Sequence, residues 1–228
     1  MKIKIVFTVL ALMCLFSSIS MVFASQETRL NIAYPVLLNS PSIYGNYVTW
    51  SDEHGNSPIA YDLKARKEIN IPSPDSMGGK VPMYGNNIVW SLHGGDIALY
   101  NVATKQTTII PAGFSPSIYG NIVAYEGNSG IYTYDVSSKK NTQTSTSGTD
   151  PRIYGNNIVY VDNDQIYIYN ISTKQRSLIG NINDQDHYYD NVVDINGNVV
   201  VWVYMENIYM RDISAHKTTQ MSLCQSLD

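Results

Sequence analysis

The stretch "NINDQDHYYDN" (181–191) gathers more chemistry-bearing side chains than any other loop of this chain. Asp184, Asp186 and Asp190, with nearby backbone carbonyls, offer the hard oxygen ligands that calcium takes. His187, Tyr188 and Tyr189 would add flat faces on which a sugar ring stacks. The loop lacks the glycine and terminal glutamate of an EF-hand, so a plain polar linker is the other reading. Asp162 and Asp164 form a second acidic pair in the preceding repeat and join the same candidate ligand-binding set. No cofactor is required by any motif, and calcium is the one a cation site here would take.

Catalytic signals are sparse. His54, His93, His187 and His216 fall in different parts of the chain, without a nucleophile-elbow serine or an H-E-x-x-H pair. Facing carboxylates on short loops leave a carboxylate-dependent glycoside hydrolase as the enzymatic alternative to a non-enzymatic binding module. Asn170-Ile171-Ser172 is an N-glycosylation sequon, whereas the proline in "NSP" (56–58) disqualifies the other match.

The first 24 residues have the layout of an export signal. Lys2 and Lys4 precede an apolar run from Ile5 to Phe16, and Val22 and Ala24 stand where a signal peptidase cuts. The expected cut follows Ala24, leaving residues 25–228 as one domain; retention of the segment as an anchor is the alternative. No later run is apolar enough to span a membrane, so the expected location is secreted or cell-surface. Only Cys224 remains after the cut, which excludes an internal disulfide. The formal charge of −4 becomes more negative once Lys2 and Lys4 are lost, and this argues against nucleic acid as partner. Eighteen tyrosines against four phenylalanines favour β-structure.

These residues must be placed by a repeated element. "PSIYGNYVTW" (41–50) returns as "VPMYGNNIVW" (81–90), "PSIYGNIVAY" (116–125), "PRIYGNNIVY" (151–160) and "VDINGNVVVW" (193–202). Gly-Asn between two β-rich runs predicts a two-residue hairpin turn. Three residues after the glycine stand Val48, Ile88, Val123, Ile158 and Val200, and five after it Trp50, Trp90, Tyr125, Tyr160 and Trp202. These two positions share a strand face, and the apolar residues between them predict that both faces are covered. A third strand follows ("PIAYDL", "IALYNV", "IYTYDV", "IYIYNI", "IYMRDI"), then a Ser/Thr/Lys turn and a fourth.

Four short strands per repeat of about 40 residues describe an all-β fold, a β-propeller of five four-stranded blades. The repeats run over about 41–75, 81–112, 116–146, 151–182 and 193–221. "ETRLNIA" (27–33) resembles the fourth strand "KEINIP" (67–72) and is expected to pair beside the last repeat, closing the ring. Tyr44, Tyr84, Tyr119 and Tyr154 are expected to pack between blades, with a ligand-stacking ring as the other reading. Alternating strand direction sorts charge onto two faces. Lys64, Arg66, Lys67, Lys105, Lys139, Lys140, Lys174, Arg176 and Lys217 follow third strands. Asp52, Glu53, Asp75, Asp96, Glu126, Asp150, Asp162, Asp164, Asp184, Asp186, Asp190 and Glu206 lie on the opposite loops. That acidic loop face is the expected contact surface.

The pattern P-x-I-Y-G-N-x-I-V-W, followed by I-Y-x-Y-[DN]-[LIV]-[ST]-T-K, resembles the propeller repeats of archaeal, methanogen-type cell-surface proteins over residues 41–221. It is more distantly similar to TolB-like propellers. The resemblance implies a binding or envelope-structural module whose partner is a cell-envelope protein or glycan, and it carries no catalytic motif. The fifth repeat departs most: Asn196 replaces the tyrosine, Val193 the proline and Arg211 the third-strand tyrosine. The oligomeric state is not written in the repeat.

Overall fold

Glycine at the first central position of every Gly-Asn turn has a positive φ (Gly45 56°, Gly85 59°, Gly120 59°, Gly155 60°, Gly197 60°). Each turn thus has the II′ form that matches strand twist, and it closes a hairpin on the two residues flanking the pair. In the computed structural model, which describes residues 39–51, 57–72, 76–182, 193–204 and 207–221, these hairpins open five antiparallel sheets. Blade 1 comprises β1 (Asn39–Tyr44), β2 (Tyr47–Ser51), β3 (Pro58–Asp62) and β4 (Lys67–Ile69). Blade 2 comprises β5 (Met83–Tyr84), β6 (Asn87–Ser91), β7 (Ile97–Asn101) and β8 (Gln106–Ile110). Blade 3 holds β9 (Gly113–Tyr119), β10 (Ile122–Gly127), β11 (Gly130–Asp135) and β12 (Lys140–Gln143). Blade 4 holds β13 (Thr149–Tyr154), β14 (Asn157–Asp162), β15 (Gln165–Asn170) and β16 (Gln175–Asn181). Blade 5 is β17 (Val193–Asn196), β18 (Val199–Tyr204), β19 (Asn207–Asp212) and β20 (Lys217–Met221). Strands pair in sequence order in every sheet, the expected β-propeller of five four-stranded blades. Among the described residues there is no helix.

The turn after each third strand has its own chemistry. The last residue of each third strand is Asp or Asn because its side chain caps the following turn. Asp62 Oδ1 accepts from the Lys64 and Ala65 amides at 2.8 and 2.9 Å, and Asp135 Oδ1 from those of Ser137 and Ser138 at 2.9 and 2.8 Å. Asn101, Asn170 and Asp212 do the same in their blades. The amide after each third strand donates to the asparagine carbonyl of the Gly-Asn turn, at 2.8 Å in all five blades. The two turns at that end of a blade are therefore tied together.

Successive blades are joined by apolar clusters. Trp90, Ile88, Ala98 and Tyr100 of blade 2 meet Ala60 of blade 1; Val123, Tyr125 and Tyr134 of blade 3 meet Val89, Ile97 and Leu99 of blade 2. The clusters between blades 3 and 4 and between blades 4 and 5 follow the same plan. The five aromatics of the second strands are all buried, as the spacing predicts. Tyr44, Tyr84, Tyr119 and Tyr154 each pack on the cluster toward the next blade. Their rings also form a tilted chain, with centroids 4.6, 4.7 and 4.5 Å apart. The packing reading of these tyrosines is the observed one.

Blade 5 departs from the expectation that both faces are covered. The position held by Val89, Ala124 and Val159 at 0 % exposure is held by Val201 at 36 %. Val203 and Ile208 on the same face are 37 % and 40 % exposed. Among the described residues no cluster joins blade 5 to blade 1, and none of them forms a blade packed on this face. Asn196 fits that setting, because the tyrosine it replaces would have had no following blade among the described residues to pack on. The expected pairing of residues 27–33 lies outside the described residues, and β20 already supplies the fourth strand of blade 5.

Candidate functional site

The first strands of the blades begin on the face formed by the loops after second and fourth strands. There the linker from blade 1 to blade 2 crosses between sheets. Gly78 and Gly79 take positive φ (79° and 87°), the Met77 amide donates to the Ser91 carbonyl at 2.9 Å, and Ser51 Oγ donates to the Gly79 carbonyl at 2.6 Å. Thr49 Oγ1 holds the Val81 carbonyl at 2.5 Å. In blade 3 the Ser115 amide donates to Ser91 Oγ at 3.2 Å, and in blade 4 the Ile153 amide donates to Ser117 Oγ at the same distance. Polar side chains thus stitch the entry to blades 2, 3 and 4 onto the preceding blade.

Between these segments lies a cleft of about 220 Å³, lined by Met77–Lys80, Ser91, Phe114–Pro116, Asp150 and Arg152. Three blades contribute to it. Arg152 is 6 % exposed, and its Nη2 lies 2.6 Å from Asp150 Oδ1 while Nη1 donates to the Pro151 carbonyl at 2.9 Å. A guanidinium withdrawn from water needs such partners, because the desolvation cost exceeds what one weak contact returns. The Asp150 amide in turn donates to Glu126 Oε2 at 3.4 Å. Burial pushes the Glu126 carboxyl above its ordinary value; the hydrogen bond from Asp150 lowers it by less, and the Asp150 charge raises it slightly. The cleft therefore pairs ammonium, guanidinium and hydroxyl donors with the Asp150 carboxylate, a lining suited to a neutral, hydrogen-bonding group.

The Glu126 shift has a stability consequence. A folded-state pKa above the unfolded one gives stability that is complete below the unfolded value and lost as pH rises through the folded value. Ionised Glu126 is thus mildly unfavourable near neutrality, with solvent screening keeping the effect small at this half-buried site. Glu126→Gln keeps an acceptor for the Asp150 amide and removes the charge. Its melting temperature should exceed that of the wild type near pH 7, with the gap closing toward about pH 4. A gap that instead widens on acidification would reverse the sign.

Arg152 was not among the residues singled out from sequence. Its repeat position is held by Ser42, Pro82, Ser117 and Asp194 in the other blades, so a long cation inside a first strand was the available signal. Asp162 and Asp164 stand at the end of β14 and in the turn beyond it. The Asp162 carboxylate accepts from Ser147 Oγ at 2.7 Å and pairs with Arg176 at 2.5 Å. Arg176 reaches it by lying across the Tyr167 ring, 3.5 Å from its centroid. One residue assigned to the basic face therefore neutralises one assigned to the acidic face. Asp62, Asp135 and Asp212 further dilute the basic face, since they cap its turns. Asn163 and Asp164 both take positive φ (50° and 61°), the I′ form, which explains Asp164 as a turn residue.

The loop residues Asp184, Asp186, His187, Tyr188, Tyr189 and Asp190, and the cut after Ala24, lie outside the described residues. Among the described residues no three His, Cys, Asp or Glu side chains converge as metal ligands, and no helix is long and apolar enough to cross a membrane. Asn170 Nδ2, the atom a glycan would occupy, donates to Asn157 Oδ1 at 2.8 Å while its Oδ1 caps the following turn.

No known protein family matches the sequence, and neither does any curated protein. Solved structures do. The chain is similar to one in the nidogen/laminin complex, with 12 % identity and a TM-score of 0.61, covering 82 % of this chain and 80 % of that one. It is similar to PorZ, a surface component of the type-IX secretion system of Porphyromonas gingivalis (14 % identity, TM-score 0.60, 82 % of this chain and 27 % of that one). It is also similar to BamB from Moraxella catarrhalis (11 % identity, TM-score 0.58, 81 % of this chain and 61 % of that one). The chain thus spans well under two thirds of PorZ and somewhat under two thirds of BamB. At these identities the likeness is one of fold, the β-propeller.

Proposed function

We propose that this chain is a secreted or cell-surface propeller that works as a non-enzymatic binding or envelope-structural module, contacting a cell-envelope protein or glycan. The observation that carries this reading is the cleft at the start of the first strands, where polar groups from three blades converge on one small space. The turns at the other end of each blade are short and tied to one another, which is what a presenting scaffold needs. The solved structures it is similar to include a chain of the nidogen/laminin complex and a bacterial surface component, and these likenesses support the reading by analogy of fold. Its place among methanogen-type surface propellers rests on the repeat pattern.

The test is binding of the purified chain to the envelope fraction of the source cell, measured with three variants. Met77→Arg narrows the cleft mouth from an exposed position. The triple change of Asp184, Asp186 and Asp190 to Asn removes the acidic loop. Glu at Lys139 and Lys140 reverses charge on the opposite face. Binding should fall about tenfold in the first two and hold in the third. Loss confined to the third variant would move the contact to the basic turns and overturn the assignment.

One observation favours a carboxylate-dependent glycoside hydrolase as second reading. Glu126 and Asp150 are adjacent carboxylates in unlike surroundings, one raised by burial and the other ion-paired with Arg152. Turnover of chromogenic glycosides that vanishes in both Glu126→Gln and Asp150→Asn would establish it, and absence of turnover would dismiss it.

A further inference from the structure

Arg211 breaks the repeat at a position that blades 2, 3 and 4 use to seal the space against the preceding blade. Tyr100 and Tyr134 fill it in blades 2 and 3, at 2 % and 6 % exposure, and Tyr169 packs on the corresponding cluster in blade 4. An arginine at this position cannot seal it, because its charged head seeks water while only its stem packs. Between blades 4 and 5 the result is an open groove of about 310 Å³. That volume is at the small end of ligand pockets.

The groove has two unlike walls. Thr173, Gln175 and Ser177 of blade 4 line one side with hydroxyl and amide groups, and Ile179 gives it an apolar floor. Arg211 and His216 of blade 5 line the other. The described residues give the Arg211 guanidinium one hydrogen bond, from Nη1 to Thr218 Oγ1 at 3.1 Å. Lys174, the last residue of the turn before β16, and Lys217, the first residue of β20, each follow a lining residue (Thr173 and His216) in sequence. The nearest carboxylate along β19, Asp212, is occupied with its own turn, accepting from Ser214 Oγ at 2.7 Å and the Ala215 amide at 2.9 Å. Asp212 keeps its negative charge, but Arg211, Lys174 and Lys217 outnumber it, so the local field is net positive, on the face where the other turns also carry lysine.

We propose that this groove is a binding site for a carboxylate-bearing sugar unit of a surface glycan. Arg211 receives the carboxylate, for which its planar fork of donors is the matching geometry. The hydroxyl and amide wall takes the ring hydroxyls, and the isoleucine floor takes the apolar ring face. A bare anion would use only the first of these three features. The inference rests on the reading of the chain as a binding module and gives that module a second ligand class, acidic glycan, on the face opposite the cleft.

The experiment uses the whole chain, an oligogalacturonate and an oligogalactose of equal length, titrated and followed by calorimetry. Arg211→Tyr is the informative variant, since tyrosine is what four other blades carry there and the fold accommodates it. Arg211→Lys keeps the charge without the fork. Expected are saturable binding of the uronate only, a loss of about tenfold or more in Arg211→Tyr, and a smaller loss in Arg211→Lys. Equal binding by wild type and Arg211→Tyr would overturn the site, as would no uronate binding by the wild type. Tighter binding of inorganic phosphate or of an acidic peptide than of the uronate would overturn the ligand class. Met77→Arg, assayed beside these, should bind the uronate normally; loss of its envelope binding alone separates failure of the groove from failure of the module reading.

Discussion

Alanine at Gly130 should destabilise the protein by more than about 3 kcal/mol, a large share of what a domain of this kind possesses. Gly130 opens β11 with a φ of 110°, a region in which a side chain is strained before any neighbour is considered. The segment after β12 folds back over it: the Ile131 amide donates to the Ser145 carbonyl at 3.1 Å, and the Thr144 amide to the Ile131 carbonyl at 2.8 Å. A Cβ on residue 130 would meet this backbone, with the Thr146 carbonyl carbon only 2.6 Å away. Backbone cannot rotate out of the way as a side chain can. Gly155→Ala is the matched control, since it also has a positive φ (60°) but nothing within 4 Å of the new methyl. Its cost should be about 1 kcal/mol, the local conformational penalty alone. Urea unfolding of the two variants should give well-separated midpoints, and coincident midpoints would refute the backbone clash.

The second large effect compares one repeat position in two blades. Ile166→Ala removes a side chain that is 0 % exposed and packed among Val159, Ile182 and Trp202, so it should cost about 2–5 kcal/mol. Ile208→Ala removes the equivalent residue of blade 5, which is 40 % exposed with none of the described blades against it, and should cost less than about 1 kcal/mol. Both substitutions lose the same atoms from the same strand of the repeat. Their difference therefore reports what lies opposite. Equal costs would mean that the blade 5 face is covered as thoroughly as that of blade 4.

This comparison also shows where sequence reading ended. Gly45, Gly85, Gly120, Gly155 and Gly197 declared their turns, because a positive φ before asparagine between β-rich runs has few other meanings. Trp90 and Tyr160 declared a buried face by their spacing from those glycines. Val201 looked no different from Val159, since exposure depends on a neighbour and not on the residue itself. Asp162 and Arg176 were sorted to opposite faces by loop type, but an arginine side chain is long enough to run down a strand over Tyr167 and undo the sorting. The cleft around Arg152 combines residues from three repeats, and no periodicity within one repeat announces a meeting of three. Arg211 was visible as a departure, but the groove it leaves became visible only beside Ile179 of the preceding blade.

The uncovered face of blade 5 bears on how such a chain lengthens over evolutionary time. A duplicated repeat added after β20 would find Val201, Val203 and Ile208 already apolar and already spaced to receive the first-strand isoleucine and second-strand aromatic of a newcomer. A duplicate inserted between blades 2 and 3 would first have to part the contacts of Val89 and Leu99 with Val123 and Tyr125. Growth at one end demands no prior loss, whereas growth in the middle does.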